Sequence, residues 1–294
     1  MSRTPFRILI AVDGSPTATA ALDTARRFPW PDNALPVAVV ARGGGLVPPL
    51  AAQKTWAWSQ ELAISIADHA CKRLASRWEE QEAHIEDGNP ETAIVAAARR
   101  KGARAIVVGW RGHGTFRRLL AGSVSRAVLR SAPIPVMVVH RAPRQVRHIV
   151  LALDGSTTAA RAVRFLKACT PPTGGRVTIV AVVTHVMPPR TGMLTTEIAS
   201  RIRADIAAHN AQERAGAKQR LQRAAASLKQ AGWRVRTVIR TGAPLAEVLD
   251  AVGDVHADVL MVGAGGSRTL RLGRIGALTE AAVNRCPVPV LVVR

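Results

Sequence analysis

Three glycines and a serine, spaced Gly109-x2-Gly112-x9-Gly122-Ser123, are the residues best placed to do chemistry in this chain. Ala105–Val108, short and β-branched, runs into them as a buried strand, and Val124, Val128 and Leu129 follow at helical spacing. The pattern predicts a strand that ends in glycine, a basic loop, and a helix that begins at Ser123. Glycine lets backbone N–H groups turn inward and approach an anion, and a helix N-terminus adds unsatisfied donors and a partial positive charge. The chemistry is that of a phosphate cradle. A glycine-rich turn without a ligand would be written in the same letters, so the loop alone leaves both readings open.

A second polar cluster closes the first apolar strand: Arg7–Val12 runs directly into Asp13-Gly14-Ser15. The same words return later, as Arg147–Leu153 followed by Asp154-Gly155-Ser156. Gly88-Asn89-Pro90 returns as Gly242-Ala243-Pro244, Gly109–Gly122 as Gly263–Gly276, and Ala132-Pro133-Ile134-Pro135-Val136 as Cys286-Pro287-Val288-Pro289-Val290. The shift from Asp13 to Asp154 is 141 residues, but from Gly109 to Gly263 it is 154. The second copy therefore holds extra residues, placed here in the helical stretch Thr196–Leu228. A period near 150 is a domain duplication, with expected domains 1–143 and 144–294 and a short linker at Arg141–Val146.

The elements that must position these clusters alternate between strand and helix. Helices are predicted at Pro16–Phe28, Trp56–Arg77, Glu91–Arg100 and Ser123–Arg130, with Ile64, Ala67, Cys71 and Leu74 on one face of the second. Strands are predicted at Pro36–Ala41, within Trp78–Glu86, at Ala105–Val108 and at Val136–Val139, with a glycine- and proline-rich loop at Arg42–Pro49. Such alternation implies an α/β fold of two tandem doubly wound domains, each with a parallel sheet flanked by helices. Ligands in such sheets sit beyond the carboxyl ends of the strands, where strand order reverses. Asp13-Gly14-Ser15 and the Gly109 loop both lie at carboxyl ends, so they can line one crevice.

Composition narrows the classes. Aromatic residues make up 3% and Tyr is absent, so Ala, Val, Leu and Ile must fill the cores. The net charge of +21 is spread over both halves, with 20 Lys/Arg against 11 Asp/Glu in residues 1–145 and 21 against 9 in residues 146–294. No basic tail and no interleaving of bases with aromatics points to a specific nucleic-acid platform. Cys71, Cys169 and Cys286 are odd in number and lack CxxC spacing, which predicts reduced thiols and no zinc site. With no apolar run of membrane-spanning length, the expectation is a cytoplasmic protein with no membrane partner.

Taken together, a strand ending in Asp-Gly-Ser, a Gly-x-Pro turn, Gly-x2-Gly-x9-Gly-Ser and a closing Pro-x-Pro-Val strand resemble the universal stress protein family, twice over and across nearly the whole chain. The resemblance implies five-stranded parallel sheets of order 3-2-1-4-5 and, through the glycine motif, the ATP-binding branch, with Mg as the companion ion. It places Asp13, Gly14 and Ser15 near the ribose or adenine, and the backbone of Ala41 or Arg42 at the adenine edge. Gly109 and Gly112 would meet the ribose and phosphates, Gly122 and Ser123 would hold the phosphates, and His113, Arg117 and Arg118 would add charge. In the second copy Asp154, Gly155, Ser156, Gly263, Gly266 and Gly276 match, with Arg268, Arg271 and Arg274 nearby. Ala277 stands where the motif has a hydroxyl, so the second site is expected to be the weaker. Fifth strands often pair in this family, which implies an intramolecular pseudo-dimer and leaves a homodimer open.

Neither loop carries a Walker lysine, and there is no nucleophile elbow and no His-Glu-x-x-His. A nucleotide-dependent stress-response or regulatory protein fits best, with slow ATP hydrolysis allowed and no catalytic residue assigned. An adenine-nucleotide hydrolase and a nucleotide-free interaction module are the competing readings.

Overall fold

Apolar β-branched runs set the strands. β1 (Phe6–Val12) is followed by α1 (Pro16–Arg27), β2 (Ala34–Arg42), α2 (Ala52–Leu74), β3 (Glu82–Asp87), α3 (Pro90–Arg100), β4 (Ala105–Gly109), α4 (Ser123–Ser131) and β5 (Val136–Val139). The second half repeats the series as β6 (His148–Ala152), α5 (Thr157–Ala168), β7 (Arg176–Val183), α6 (Thr196–Gln230), β8 (Arg234–Thr241), α7 (Pro244–Asp254), β9 (Val259–Gly263), α8 (Ala277–Arg285) and β10 (Val290–Val293). These elements come from a computed structural model that describes residues 4–43, 52–110, 122–187, 196–265 and 275–294.

Within each half the strands are parallel and their order is the expected one, β3-β2-β1-β4-β5 and β8-β7-β6-β9-β10. Strand order reverses at β1, which pairs with β2 on one side and β4 on the other, and again at β6 between β7 and β9. The halves join edge to edge. β5 and β10 pair antiparallel with Val138 opposite Val290, Met137 opposite Leu291 and Val136 opposite Val292, which makes one ten-stranded sheet. A pseudo-twofold axis passes through the Met137–Leu291 pair, since each is the other's counterpart in the duplication.

Two apolar layers cover this sheet, and each is continuous across both halves. One joins α1, α2, α5 and α6 through residues such as Leu22, Leu74, Leu166 and Leu228; the other joins α3, α4, α7 and α8 through Ile94, Leu129, Val252 and Val283. On the first face an aromatic cluster bridges the halves, with the Phe165 ring 6.0 Å from Phe6 and 6.2 Å from Trp30. Thr170 donates to Asp32 at 2.7 Å beside it. On the other face the contacts obey the pseudo-twofold: Arg126 reaches Asn284, and Arg130 reaches Glu280 at 2.8 Å.

Several details differ from the sequence expectations. The buried face of α2 is Ala63, Ala67, Ala70 and Leu74, whereas Ile64 is exposed and Cys71 half-buried. Both stripes have helical spacing; the small alanines win because they let α2 lie close to the sheet. Arg42 belongs to β2 and is not in the loop, because its strand is extended by pairing with Asp87 of β3. The added length of the second copy appears in α6, 35 residues against 23 in α2. All three cysteines are free thiols; burial pushes Cys169 well above the ordinary thiol range and raises Cys286 against the Val288 backbone. Among the described residues no helix is long and apolar enough to cross a membrane.

His148 gives the fold a pH dependence. It is buried at the start of β6, with Nε2 2.8 Å from the Thr178 hydroxyl. Burial, then the charges of Arg176 and Arg236, lower its pKa, against the opposing pull of the Val255 backbone and Asp258. The unfolded chain binds this proton more readily, so stability is unaffected above the unfolded value near 6.5 and falls as pH drops below it. Urea midpoints at pH 7.5 and 5.5 should show this loss, and His148→Gln, which keeps a partner for Thr178, should reduce it. An equal loss in the variant would assign it to other groups.

Candidate functional site

The sequence-predicted clusters meet at the two points where strand order reverses. In the first half the carboxyl ends of β1 and β4 lie side by side, which brings Asp13-Gly14-Ser15 next to Gly109. Asp13 Oδ1 accepts the Ser15 N–H at 3.0 Å, closing an Asx turn in which Gly14 takes φ +79°. Ser15 then caps α1, its Oγ accepting the Ala18 N–H at 3.1 Å. The second half repeats this geometry, with Ser156 N–H to Asp154 Oδ1 at 2.9 Å, Gly155 at φ +81°, and Ala159 N–H to Ser156 Oγ at 3.1 Å. In both copies the serine is buried and committed to its helix, while aspartate and glycine face outward. Asp-Gly-Ser is thus first a strand-to-helix turn, of which only the first two residues are exposed.

Gly109 has a steric reason of its own. A Cβ there would lie 2.7 Å from the Thr17 carbonyl carbon and 2.8 Å from its oxygen, so only glycine lets β4 end against the first turn of α1. Gly263 is held in the same way: a Cβ there would lie 2.5 Å from Thr158 Oγ1 and 2.9 Å from the Ala159 nitrogen. The expected role of Gly109 in approaching a ligand is therefore joined by helix packing, which alone accounts for the glycine.

The helix starts differ in a way that matters for anions. α1, α3 and α5 are capped by Ser15, Asn89 and Ser156. α4 and α8 begin on Gly122 and Gly276, and among the described residues no side chain caps them, so there their first-turn N–H groups are left for another acceptor. α7 also lacks a cap, but Pro244 at its start removes a donor. Ser123 is the first residue inside α4 and exposed, with Gly122 at φ +84° as the N-cap.

Ala41 and Arg42 end β2 beside this turn. The Arg42 carbonyl accepts the Gly88 N–H at 3.0 Å, and its guanidinium binds Asp87 at 2.6 Å and also reaches Gln60. Arg42 is therefore a clamp between β2, β3 and α2, which leaves Ala41 the simpler candidate for a backbone contact. Gly112, His113, Arg117, Arg118, Gly266, Arg268, Arg271 and Arg274 lie outside the described residues. Among the described residues no group of three metal-ligating side chains gathers.

The sequence reading missed a hydroxyl at the third position of α4 and α8. Ser125 Oγ donates to the Trp110 carbonyl at 3.2 Å, and Thr279 Oγ1 to the Gly263 carbonyl at 2.7 Å, tying each helix start to the end of its strand. The signal was available: Ser125 and Thr279 are duplicates at the same 154-residue shift.

Comparison with known proteins follows the duplication. The model of the Universal stress protein family matches residues 6–140 and again 145–294. A universal stress protein of Methanocaldococcus jannaschii is 31% identical over 147 residues, covering 47% of this chain and 84% of its own length. A Bacillus subtilis universal stress protein is 28% identical over 144 residues, covering 45% and 97%. A solved universal stress protein from Archaeoglobus fulgidus superposes with a TM-score of 0.67 at 18% identity, covering 99% of both chains.

Proposed function

The chain belongs to the universal stress protein family, and from that premise we propose that it is a nucleotide-dependent stress-response protein that binds ATP, with repeat one as the stronger site. The observation that carries this reading is the pairing, at the point where β1 meets β4, of the Asp13–Gly14 turn with the uncapped start of α4. The adenosine end rests against the Asp13 turn and the carboxyl end of β2, and the phosphates face the first-turn N–H groups of α4. The residues present fit such a ligand: Gly122 offers no side chain to obstruct it, and Ser123 adds an exposed hydroxyl beside the donors. ATP supplies the triphosphate whose charge α4 recognises, and any Mg arrives with it. Three free thiols, two of them buried, suit work in the cytoplasm.

Isothermal titration of the full chain with ATP tests this. Ser123→Ala is expected to weaken the stronger site by about tenfold, the loss of one hydrogen bond to a charged acceptor. Ala277→Ser is expected to strengthen the weaker one comparably. Because Ser123 is exposed and caps nothing, the urea midpoint should stay where it is. Absence of saturable binding would favour the nucleotide-free module, and turnover of ATP at ordinary enzyme rates the hydrolase.

A further inference from the structure

The two clefts differ in one wall. In repeat one α2 covers the Asp13–Gly14 turn with Ile66, whose Cδ1 and Cγ1 would each lie 3.3 Å from a Cβ on Gly14. In repeat two the same position on α6 is Arg220. Its Cδ and Nε would each lie 3.0 Å from a Cβ on Gly155, so the side chain extends across the Asp154–Gly155 turn. The correspondence is secured by the buried stripes, since Ala63, Ala67, Ala70 and Leu74 of α2 match Ala217, Leu221, Ala224 and Leu228 of α6 at one constant shift.

A second substitution accompanies the first. One turn earlier, α2 has Leu62 and α6 has Gly216, and a Cβ on Gly216 would lie 3.2 Å from Arg220 Nη1. Glycine inside a helix is unfavourable relative to alanine. Here its lack of a side chain leaves the space into which the guanidinium folds, toward the helix N-terminus as helical side chains do.

The placement of Arg220 carries an electrostatic cost. Its Nε is buried without a hydrogen-bond partner among the described residues. No carboxylate pairs with it there, and it sits beside the N-terminus of α5, the end that repels a cation. Ile66 has neither cost. An oxyanion over the turn would satisfy the guanidinium and complement the helix end together.

We propose that the cleft of repeat two takes an adenine nucleotide with a further phosphate on its ribose, held by Arg220, while repeat one takes a nucleotide whose ribose is unmodified. This rests on the orientation proposed above, with the ribose at the Asp-Gly turn and the 5′-phosphates at the uncapped helix. Arginine beside a ribose is a general means of accepting a ribose phosphate in doubly wound sheets.

Titration of the full chain with AMP, adenosine 2′,5′-bisphosphate and adenosine 3′,5′-bisphosphate tests the proposal. The wild-type chain should bind one of the bisphosphates at a single site at least about tenfold tighter than AMP. Arg220→Ile, which installs the residue of repeat one, should bring that ratio to within about twofold while its urea midpoint stays the same or rises. The double variant Leu62→Gly, Ile66→Arg should give repeat one the same preference. A bisphosphate preference that survives in Arg220→Ile, or its absence from the wild-type chain while ATP still binds, overturns this inference and leaves the ATP reading standing. Failure of every nucleotide to bind overturns both.

Discussion

Gly109→Ala is expected to lower the stability of the chain by about 2 to 3 kcal/mol, and Gly109→Val by more. The reason lies in what the new Cβ would meet: the backbone of Thr17 at 2.7 and 2.8 Å, fixed in the first turn of α1, which has no rotamer to give. Either β4 or α1 must shift, and both belong to the packed centre of the first half. Gly253→Ala is the control. It lies in α7, exposed, with nothing within 4 Å of its added Cβ, so the same change should stabilise by about 0.5 to 1 kcal/mol. Urea unfolding of the two variants checks both signs at once. A Gly109→Ala chain as stable as wild type would show that the strand end is not held against α1. Because of this packing, loss of nucleotide binding on mutating Gly109 reports the fold first, and Ser123 is the cleaner probe of the ligand.

Residues 1–143 expressed alone are expected to associate in pairs through β5 and to unfold at lower urea than the full chain. Cutting after repeat one uncovers the edge of β5, whose four residues Val136–Val139 are all buried in the full chain. It also strips Phe165 from Phe6 and Trp30. An apolar unpaired edge recruits another strand. The register already present, with Met137 opposite its own counterpart Leu291, allows two copies to meet with Met137 opposite Met137. Sedimentation should show a concentration-dependent monomer–dimer equilibrium, in contrast to the fixed pairing of the intact chain. A fragment that stays monomeric at high concentration with undiminished stability would show that the shared layers contribute little.

Much of this architecture was legible because duplication prints its landmarks twice. Asp13-Gly14-Ser15 and Asp154-Gly155-Ser156, like the first glycine of each loop, mark the carboxyl ends of their strands; the alternation of elements implied parallel pairing, and the family resemblance implied the order that the sheet adopts. What periodicity left unresolved was the choice between equally spaced stripes, as at Ile64 and Ala63, where closeness of approach to the sheet decides. Nor does spacing distinguish a glycine kept for a ligand from one kept for a helix, as Gly109 shows. Ser15 and Ser156 look like ligand residues in the sequence, yet their hydroxyls cap helices. Arg220 was hidden because a lone arginine in an arginine-rich helix carries no signal until α2 and α6 are superposed and Ile66 is found in its place.

The pseudo-twofold between β5 and β10 has a consequence for how such a chain can evolve. In a pair of identical subunits every substitution at the seam appears on both sides, so a change that suits one side must be tolerated by the other. Covalent fusion lifts that constraint, and the seam already records separate histories: Arg126 faces Asn284 where its mirror contact is Arg130 to Glu280. Away from the seam the divergence goes as far as inversion, since Glu86 pairs with Arg100 in the first half and Arg240 with Asp254 at the same positions in the second. Two halves free to mutate singly can keep a common scaffold while their clefts take up different work.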